Sequence, residues 1–503
     1  MAFPLRSSIT LCLLAICLPA FAHVGSPDVY YEGMAGPYRV LVIIRPPAVV
    51  PGVAQIQVRN LNDSGDVSRI EILPLTMLGP GASLAPRPDA MQRSADDPRL
   101  YNGNLWIMLR GSWKVQVDVE GKQGKGEIAV PVTAVSMTAA RMQPGIGAFL
   151  GGFGLLLIGV LISVIKSANG QALLPARETL SPALKRRSYV RTGIGGFFIF
   201  AALVAGYFWW GAEARANDRM VYQVPHLDSS LLPGGKLQVR LENPNARSFV
   251  APNWEVFWAQ KLKATDLVPD HGHIMHLFLV RMPDMKSFWH LHPETSNFQD
   301  FTASLPPIPP GHYQIYADVV HATGFPETQV GSIDLSSVSG QPTDGQPLHG
   351  DDSGGELTAS DQVAALSDGC RMVWERDAAP LRAQQAIVFR FRIEDRNGKP
   401  AGDLENYMGM SGHAVFMSDD GKVFAHIHPE GSVSMAALSM AQSADGSAGK
   451  MPTMSMPMSS EVSFPYGFPQ DLRKSSWPMW PKWKISPSCR GQTCHPHEKT
   501  SPC

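Results

Sequence analysis

Residues 288–294 read Phe-Trp-His-Leu-His-Pro-Glu, and residues 424–430 read Phe-Ala-His-Ile-His-Pro-Glu. Side chains two positions apart on a β-strand point to the same face, so each His-x-His pair presents two imidazoles side by side. The proline that follows has no N–H to donate to a ladder, and it predicts the end of the strand. The sequence therefore contains one strand motif twice.

Each pair has a further histidine upstream at a similar distance. His276 precedes His290 by 14 positions and His413 precedes His426 by 13, with an apolar run and then a polar turn in between. Strand, turn, strand and His-x-His-Pro form the repeated unit, which indicates the internal duplication of one β module. Three imidazoles on one hairpin are a plausible donor set for a metal ion, so we predict a metal site in each copy.

The predicted metal ligands are histidines, with methionines beside the second copy. They are His276, His290 and His292, then His413, His426 and His428, with His271, His273, Met408 and Met410 as further candidates just upstream of the hairpins. Mixed imidazole and thioether sets suit copper in either oxidation state, whereas zinc more often recruits carboxylate or thiolate. Copper is the predicted metal and zinc the alternative. A structural role stays open, in which the histidines hydrogen-bond near strand ends and stack on Trp289 or Phe424.

The N-terminus predicts export. Residues 1–22 carry an early Arg6, an apolar stretch and the small-residue site Ala20-Phe21-Ala22, which is typical of a cleavable secretory signal. The mature chain would begin at His23, whose α-amine and imidazole together form a strong Cu(II) chelate. The cluster of methionines from Met451 to Met458 offers thioethers for Cu(I), with a Met-rich low-complexity insertion as the alternative interpretation.

Two apolar stretches predict transmembrane helices at residues 144–165 and 192–211. The segment between them, 166–191, holds six basic residues and one acidic residue, so the positive-inside rule places it in the cytoplasm. The flanking domains would then lie in the periplasm of a bacterial inner-membrane protein. Neither span has an ionisable residue in its core, so an ion pathway through the helices is not expected.

Outside the two predicted spans, the hydrophobic pattern of the sequence is typical of β-strands. Residues 23–140 show short alternating apolar runs separated by Pro, Gly, Asn and Asp, and residues 219–335 and 370–470 repeat this pattern. The predicted fold class is mainly β, with immunoglobulin-like β-sandwich domains on the outer face joined by two transmembrane helices. Residues 336–369 predict a flexible linker. Residues 471–503 lack periodicity, and a shifted reading frame or a recent terminal change explains them better than a metal finger with Cys489, Cys494 and Cys503, so we place no site there.

Composition excludes several functions. The chain has 43 basic and 44 acidic residues, which gives no reason to expect a nucleic acid partner. Cys370 is the only cysteine between the signal and residue 489, so the main domains have no predicted disulfide framework. A nucleophile motif, a phosphate-binding glycine loop and paired catalytic carboxylates are absent from the sequence. We therefore predict that the protein is not an enzyme.

The mature start at His23, the outward β domains and the strand Trp113-Lys-Val-Gln-Val-Asp-Val119 resemble bacterial periplasmic copper-handling modules of the CopC-type, YtkA-like and FixH-like kinds. The resemblance implies copper binding for resistance, or delivery to a membrane cuproenzyme or transporter. CopC-type modules supply further ligands in the domain of the N-terminal His, but residues 24–140 contain no other histidine. The alternative function is a non-catalytic membrane assembly scaffold with structural histidines.

Overall fold

The described part of the chain starts at Asp28 and contains three β-rich regions and two long helices. The computed structural model describes residues 28–62, 67–77, 85–170, 174–175, 178–242, 266–336, 353–356, 362–366, 369–376, 381–402, 404, 406–443 and 459–469. The signal segment, His23, the Met451 to Met458 cluster and the tail from residue 471 lie outside the described residues.

The N-terminal region forms two antiparallel sheets that share one core. Its strands are β1 (Val29–Ala35), β2 (Tyr38–Arg45), β3 (Gly52–Asn60), β4 (Val67–Thr76), β5 (Asp89–Ala90), β6 (Gln92–Arg93), β7 (Leu100–Ile107), β8 (Gly111–Gly121) and β9 (Gly124–Ala134). The sheet orders are β1-β2-β3-β7-β6 and β5-β4-β8-β9. Alternation along β8 buries Val115, Val117 and Val119 against Val40 and Val42 of the other sheet, as a half-buried strand requires.

Two helices follow, and both are long and apolar enough to cross a membrane: α1 (Pro144–Ala168) and α2 (Pro182–Asp218). Their apolar side chains are exposed, as a lipid-facing surface would be. The prediction of a basic loop over residues 166–191 is wrong in part, because α2 begins at Pro182 behind the N-cap Ser181 and includes Lys185. At about 1.5 Å per residue α2 is roughly 55 Å long, so its ends extend beyond a hydrocarbon core of about 30 Å.

The two helices contact each other at Gly195 of α2 and Ile165 of α1. A Cβ at Gly195 would be 3.2 Å from the Ile165 side chain. The Gly147-x-x-x-Gly151 face of α1 does not make this contact, because a Cβ at Gly151 would meet nothing within 4 Å among the residues that the structure describes. The two helices therefore pack closely at Gly195.

The second β region also has two antiparallel sheets. Its strands are β10 (Leu227–Leu232), β11 (Lys236–Leu241), β12 (Leu267–Val268), β13 (Met275–Met282), β14 (Ser287–Leu291), β15 (Glu294–Thr295), β16 (Asp300–Ser304), β17 (Gly311–His321) and β18 (Pro326–Leu335). One sheet has the order β10-β11-β16-β15, and in the other β13 lies between β14 and β17. Leu277 and Leu279 of β13 pack into the core between them.

The predicted linker, residues 336–369, contributes one strand to the second β region and one to the third. The remaining elements are β19 (Ser353–Glu356), β20 (Val363–Ala365), β21 (Arg371–Glu375), β22 (Ile387–Glu394), β23 (Ala414–Met417), β24 (Phe424–Ile427), α3 (Met435–Gln442) and β25 (Glu461–Tyr466). β19 pairs with β14 and β20 pairs with β21, so the third region begins before residue 370 and parts of 336–369 are ordered by strand pairing. Strands of three or four residues are too short to show an alternation that can be recognised in a sequence.

The third region is bound to the first by its insertion. Met435 and Leu438 of α3 join the core of the N-terminal sheets, and Lys114 donates a hydrogen bond to the Ala441 carbonyl. Gly431 lies against β1, where a Cβ would be 1.9 Å from the Tyr30 carbonyl oxygen. The buried face of α3 is therefore part of the core that the first and third regions share.

Candidate metal centre

The two histidine modules form two hairpins, β13–β14 and β23–β24. β14 ends at Leu291 and β24 ends at Ile427, so each strand stops before the His-Pro step, as predicted. The imidazoles of each pair are neighbours, with ring centroids 4.5 Å apart for His290 and His292 and 4.7 Å apart for His426 and His428.

The duplication extends upstream to a turn that the sequence reasoning missed. Asp270 and His273 exchange backbone hydrogen bonds of 2.8 and 3.0 Å, and Tyr407 and Met410 do the same at 2.8 and 3.1 Å. In each turn the two central residues have positive φ, 52° and 86° at His271-Gly272 and 52° and 82° at Met408-Gly409. Positive φ at both positions is typical of a type I′ turn and explains the glycine. His271 and Met408 therefore occupy equivalent positions.

An apolar cluster holds the two hairpins against each other. It combines Phe278, Val280, Met285, Phe288 and Tyr316 of the second region with Val415, Met417 and Phe424 of the third. Tyr316 stacks on Phe424 at 4.1 Å, and its hydroxyl donates a 2.6 Å hydrogen bond to the Gly421 carbonyl. This packing brings together histidines that are far apart in the sequence.

The structure places the predicted ligands in one cluster with two compact trios. His276, His290 and His292 form the first trio, and His271, His413 and His428 form the second. Within each trio one ring nitrogen per residue lies within 4.8 Å of the others. A tetrahedral ion with bonds of about 2.0–2.1 Å needs nitrogens roughly 3.3 Å apart, a change that small ring rotations supply. The expected trio of His413, His426 and His428 is thus replaced by one that takes His271 from the other module.

Two ligands have a backbone acceptor that fixes their tautomer. His276 Nε2 lies 3.1 Å from the Asp270 carbonyl oxygen, and His428 Nδ1 lies 3.0 Å from that of Val433. A carbonyl only accepts, so these nitrogens carry the proton, and the lone pairs are left on His276 Nδ1 and His428 Nε2. Metal-binding histidines are oriented by the same kind of outer hydrogen bond.

Without a metal, the inward lone pairs accept from a neighbouring imidazole. His276 Nδ1 is 3.0 Å from His290 Nε2, and His428 Nε2 is 3.2 Å from His271 Nε2. His290 Nδ1 in turn lies 3.4 Å from the Tyr407 hydroxyl. In each pair the two nitrogens face each other with one proton between them. A metal ion bound by both nitrogens would take the place of that proton.

His413 and His426 show what the metal-free cluster leaves unsatisfied. His413 is 4% exposed, and within the described ranges neither of its ring nitrogens has a hydrogen-bond partner. The same holds for Nε2 of His426, whose Nδ1 is 3.5 Å from Asp318 Oδ2. A buried polar group without a partner costs about 1–3 kcal/mol, so such groups call for an explanation. A metal ion bound by these nitrogens supplies one.

The electrostatics favour neutral imidazoles. Burial lowers the pKa of His271 to about 3 and that of His426 to about 4, with the neighbouring His426 also lowering the former. Burial, followed by the neighbouring imidazoles, holds the pKa values of His276, His290, His413 and His428 well below 6.5. Imidazole must be neutral to bind a metal ion, so these side chains have the required protonation state at neutral pH.

The remaining predicted ligands have different surroundings. His273 packs on His292 with ring centroids 4.0 Å apart. Met408 is half-buried, and its backbone hydrogen-bonds to His271. Met410 is 8% exposed and packs in the core of the N-terminal region, which explains its burial without a metal.

Acidic residues border the cluster, and a cavity of about 210 Å³ reaches it. The lining includes Asp270, Asp318 and His426, and it extends to Met137 and Tyr222. These last two residues lie a few positions before α1 and after α2, so the cavity leads from the histidines to the junction with the helices. Asp318, in the middle of β17, was missed in the sequence because an alternating strand gives no sign of which polar residue faces a partner.

Comparisons with known proteins give no function. The family model described as "Domain of unknown function (DUF8832)" matches residues 364–470, which contain the second hairpin. No curated protein matches the chain.

Solved structures offer weak likenesses only. Alpha-2-macroglobulin of E. coli, in its native conformation, is 8% identical with a TM-score of 0.20, over 81% of this chain and 20% of that chain. Dimeric latent PorU from Porphyromonas gingivalis is 7% identical with a TM-score of 0.14, over 80% of this chain and 29% of that chain. The chain thus spans less than a third of the length of either protein.

Proposed function

We propose that this protein is an exported, membrane-anchored metal-binding protein whose buried histidine cluster holds copper. The observation that carries the proposal is His413, a buried imidazole with both nitrogens unpartnered in the part of the chain that the structure describes, lying against His271 and His428. A purely structural histidine would be hydrogen-bonded. The second trio crosses the interface between two β regions, so it forms only in the folded chain.

Copper is the ion that the donor set favours, with zinc as the alternative. All six residues of the trios offer imidazole nitrogen, and copper(II) binds such sites more tightly than other divalent first-row ions. Buried carboxylates lie beside the trios but are not members of them. Copper handling agrees with the resemblance to CopC-type, YtkA-like and FixH-like modules, and the two facing sheets of residues 28–134 are the arrangement that an immunoglobulin-like β-sandwich would have.

The location we propose is the bacterial inner membrane, with α1 and α2 as the two spans and the β regions in the periplasm. The cavity that joins the histidines to the start of α1 and the end of α2 supports an exchange of the ion near the membrane surface. A membrane cuproenzyme or transporter is the kind of partner that such an exchange would serve.

Metal analysis of the full chain in detergent tests the proposal. The wild type and a His312→Asn control should retain copper after removal of loosely bound ions, because His312 is half-exposed and pairs with Asp334 outside the cluster. His413→Asn should lose at least half of that copper. A wild type that retains no copper or zinc would instead favour the assembly scaffold with structural histidines.

A further inference from the structure

We propose that the two trios hold two metal ions at one coupled centre, in which His426 lies between the ions and the neighbouring carboxylates Asp270 and Asp318 balance their charge. The inference rests on the proposed function and goes beyond it, because the sequence motif predicts two separate sites, one in each module. Four sets of contacts carry it.

The trios are in ring contact with each other. The ring centroids of His271 and His276, which belong to different trios, are 6.1 Å apart, and those of His290 and His413 are 6.4 Å apart. An ion lies about 2.0–2.1 Å from the nitrogen that binds it. Two ions held by rings in such contact would be near neighbours, as the ions of known two-metal sites are at roughly 3.5–4 Å. They would therefore not behave independently.

His426 occupies the space between the trios. Its ring centroid is 5.4 Å from that of His276 in the first trio, and 5.3 Å and 4.7 Å from those of His413 and His428 in the second. Its Nε2 is buried and has no hydrogen-bond partner among the described residues. Because Nδ1 faces Asp318, the other nitrogen is left for a ligand. The structure gives His426 no other role for that nitrogen.

The buried carboxylate of Asp270 and the half-buried carboxylate of Asp318 would offset the charge that two cations bring. Asp270 is 6% exposed and its Oδ1 accepts a 2.7 Å hydrogen bond from the Ala436 amide, and Asp318 Oδ2 lies 3.5 Å from His426. Within the described ranges neither forms an ion pair with a lysine or arginine. Burying a carboxylate without a cation is costly, and a neighbouring pair of metal ions removes that cost.

The two equivalent turns contribute differently to the trios. The Asp270 to His273 turn sends His271 to the trio of the second module, and the equivalent Met408 turn contacts His271. A trio that borrows a ligand from the other module cannot fill independently of it. Loss of the first module should therefore disturb both ions.

The test is electron paramagnetic resonance of the full chain in detergent, loaded with Cu(II) to saturation, with the copper content measured on the same sample and the oxidation state checked by X-ray absorption. We expect two copper ions per chain and either a half-field transition with dipolar broadening or an integrated spin well below the copper content. The His312→Asn control should give the same spectrum. In His290→Asn and His413→Asn, the coupled signal should disappear even where one ion remains.

The outcomes separate this inference from the proposed function. Two bound ions with spectra of isolated Cu(II), or a single bound ion, would overturn the coupled centre and leave the metal-binding function intact. A chain that binds no copper would overturn both. The wild-type spectrum decides by itself, so a variant that fails to fold does not weaken the test.

Discussion

At the scale of single residues, His413 and His428 differ in one respect that affects stability. Both are buried, but His428 donates Nδ1–H to the Val433 carbonyl, while His413 has no hydrogen-bond partner in the described part of the chain. His413→Phe should therefore stabilise the metal-free protein by about 1–3 kcal/mol, because it removes an unsatisfied polar group. His428→Phe should destabilise it by about 1 kcal/mol or more.

Urea denaturation of the metal-free full chain measures both changes, and addition of copper should make the wild type the more stable protein. Equal destabilisation by the two substitutions would mean that His413 has a structural partner. The contrast between the variants is thus a direct check on the functional interpretation of His413.

The titration of the cluster predicts how the stability of the metal-free protein depends on pH. The pKa values of His271 and His426 are lowered to about 3 and about 4, whereas an unfolded histidine titrates near 6.5. Below about pH 6.5 the unfolded chain takes up protons that the folded cluster refuses, so the free energy of unfolding falls as pH falls. Burial raises the pKa of Asp318 to about 7 and also raises that of Asp270, which opposes this trend, but the six histidines with lowered pKa values outnumber the two carboxyl groups.

Chemical denaturation between pH 7.5 and 4.5 should therefore show a steady loss of stability toward acid, and a flat profile would contradict the buried neutral cluster. An imidazole with the ordinary pKa of about 6.5 would lose its metal ion to protons as pH falls through that value. Because the pKa values of the cluster are lowered, protons compete with the metal ion for these histidines only at lower pH while the chain is folded. The loss of bound metal below about pH 6.5 should therefore come mainly from unfolding.

At the scale of elements, the sequence predicted each hairpin well but did not predict how the two hairpins pack against each other. Strand alternation and the His-x-His-Pro step located β13–β14 and β23–β24, because both signals are local. Whether His271 serves its own hairpin or the other one depends on the turn at Gly272 and on the stacking of Tyr316 on Phe424, which are long-range contacts. The hydrophobic period reveals which residues are buried, and it does not reveal which buried faces meet.

A role of the inserted segment 432–460 in binding Cu(I) is tested better by point substitutions than by deletion of the segment. Deletion would remove the buried Met435 and Leu438 of α3 and should destabilise the N-terminal core, since each large apolar side chain contributes about 1.5–3 kcal/mol. Substitution of Met451, Met454, Met456 and Met458 by Ser leaves α3 in place. We expect this variant to keep Cu(II) binding at neutral pH and to lose part of its Cu(I) retention at acidic pH, because thioethers do not titrate. Equal retention of Cu(I) by the two proteins at acidic pH would dismiss a role for the methionines.

At the scale of the whole molecule, two helices separate the N-terminal β region from the other two in sequence, while α3 and β1 join the first and third regions in space. If α1 and α2 both cross a membrane, all three β regions lie on the same side of it. A reporter fused after Lys185, near the start of α2, should be active only in the cytoplasm, and one fused after Gly340 only outside. A cytoplasmic Gly340 fusion would contradict the two-span topology.

X-ray absorption at the copper edge, on the purified full chain, tests the central claim most directly. Histidine ligation predicts nitrogen neighbours at about 2.0 Å with the multiple scattering of imidazole rings, and a marked loss of that signal per chain in His413→Asn but not in His312→Asn. Copper bound mainly by sulfur or by carboxylate oxygen, or a wild-type chain without bound metal, would contradict a copper centre built from the two histidine modules.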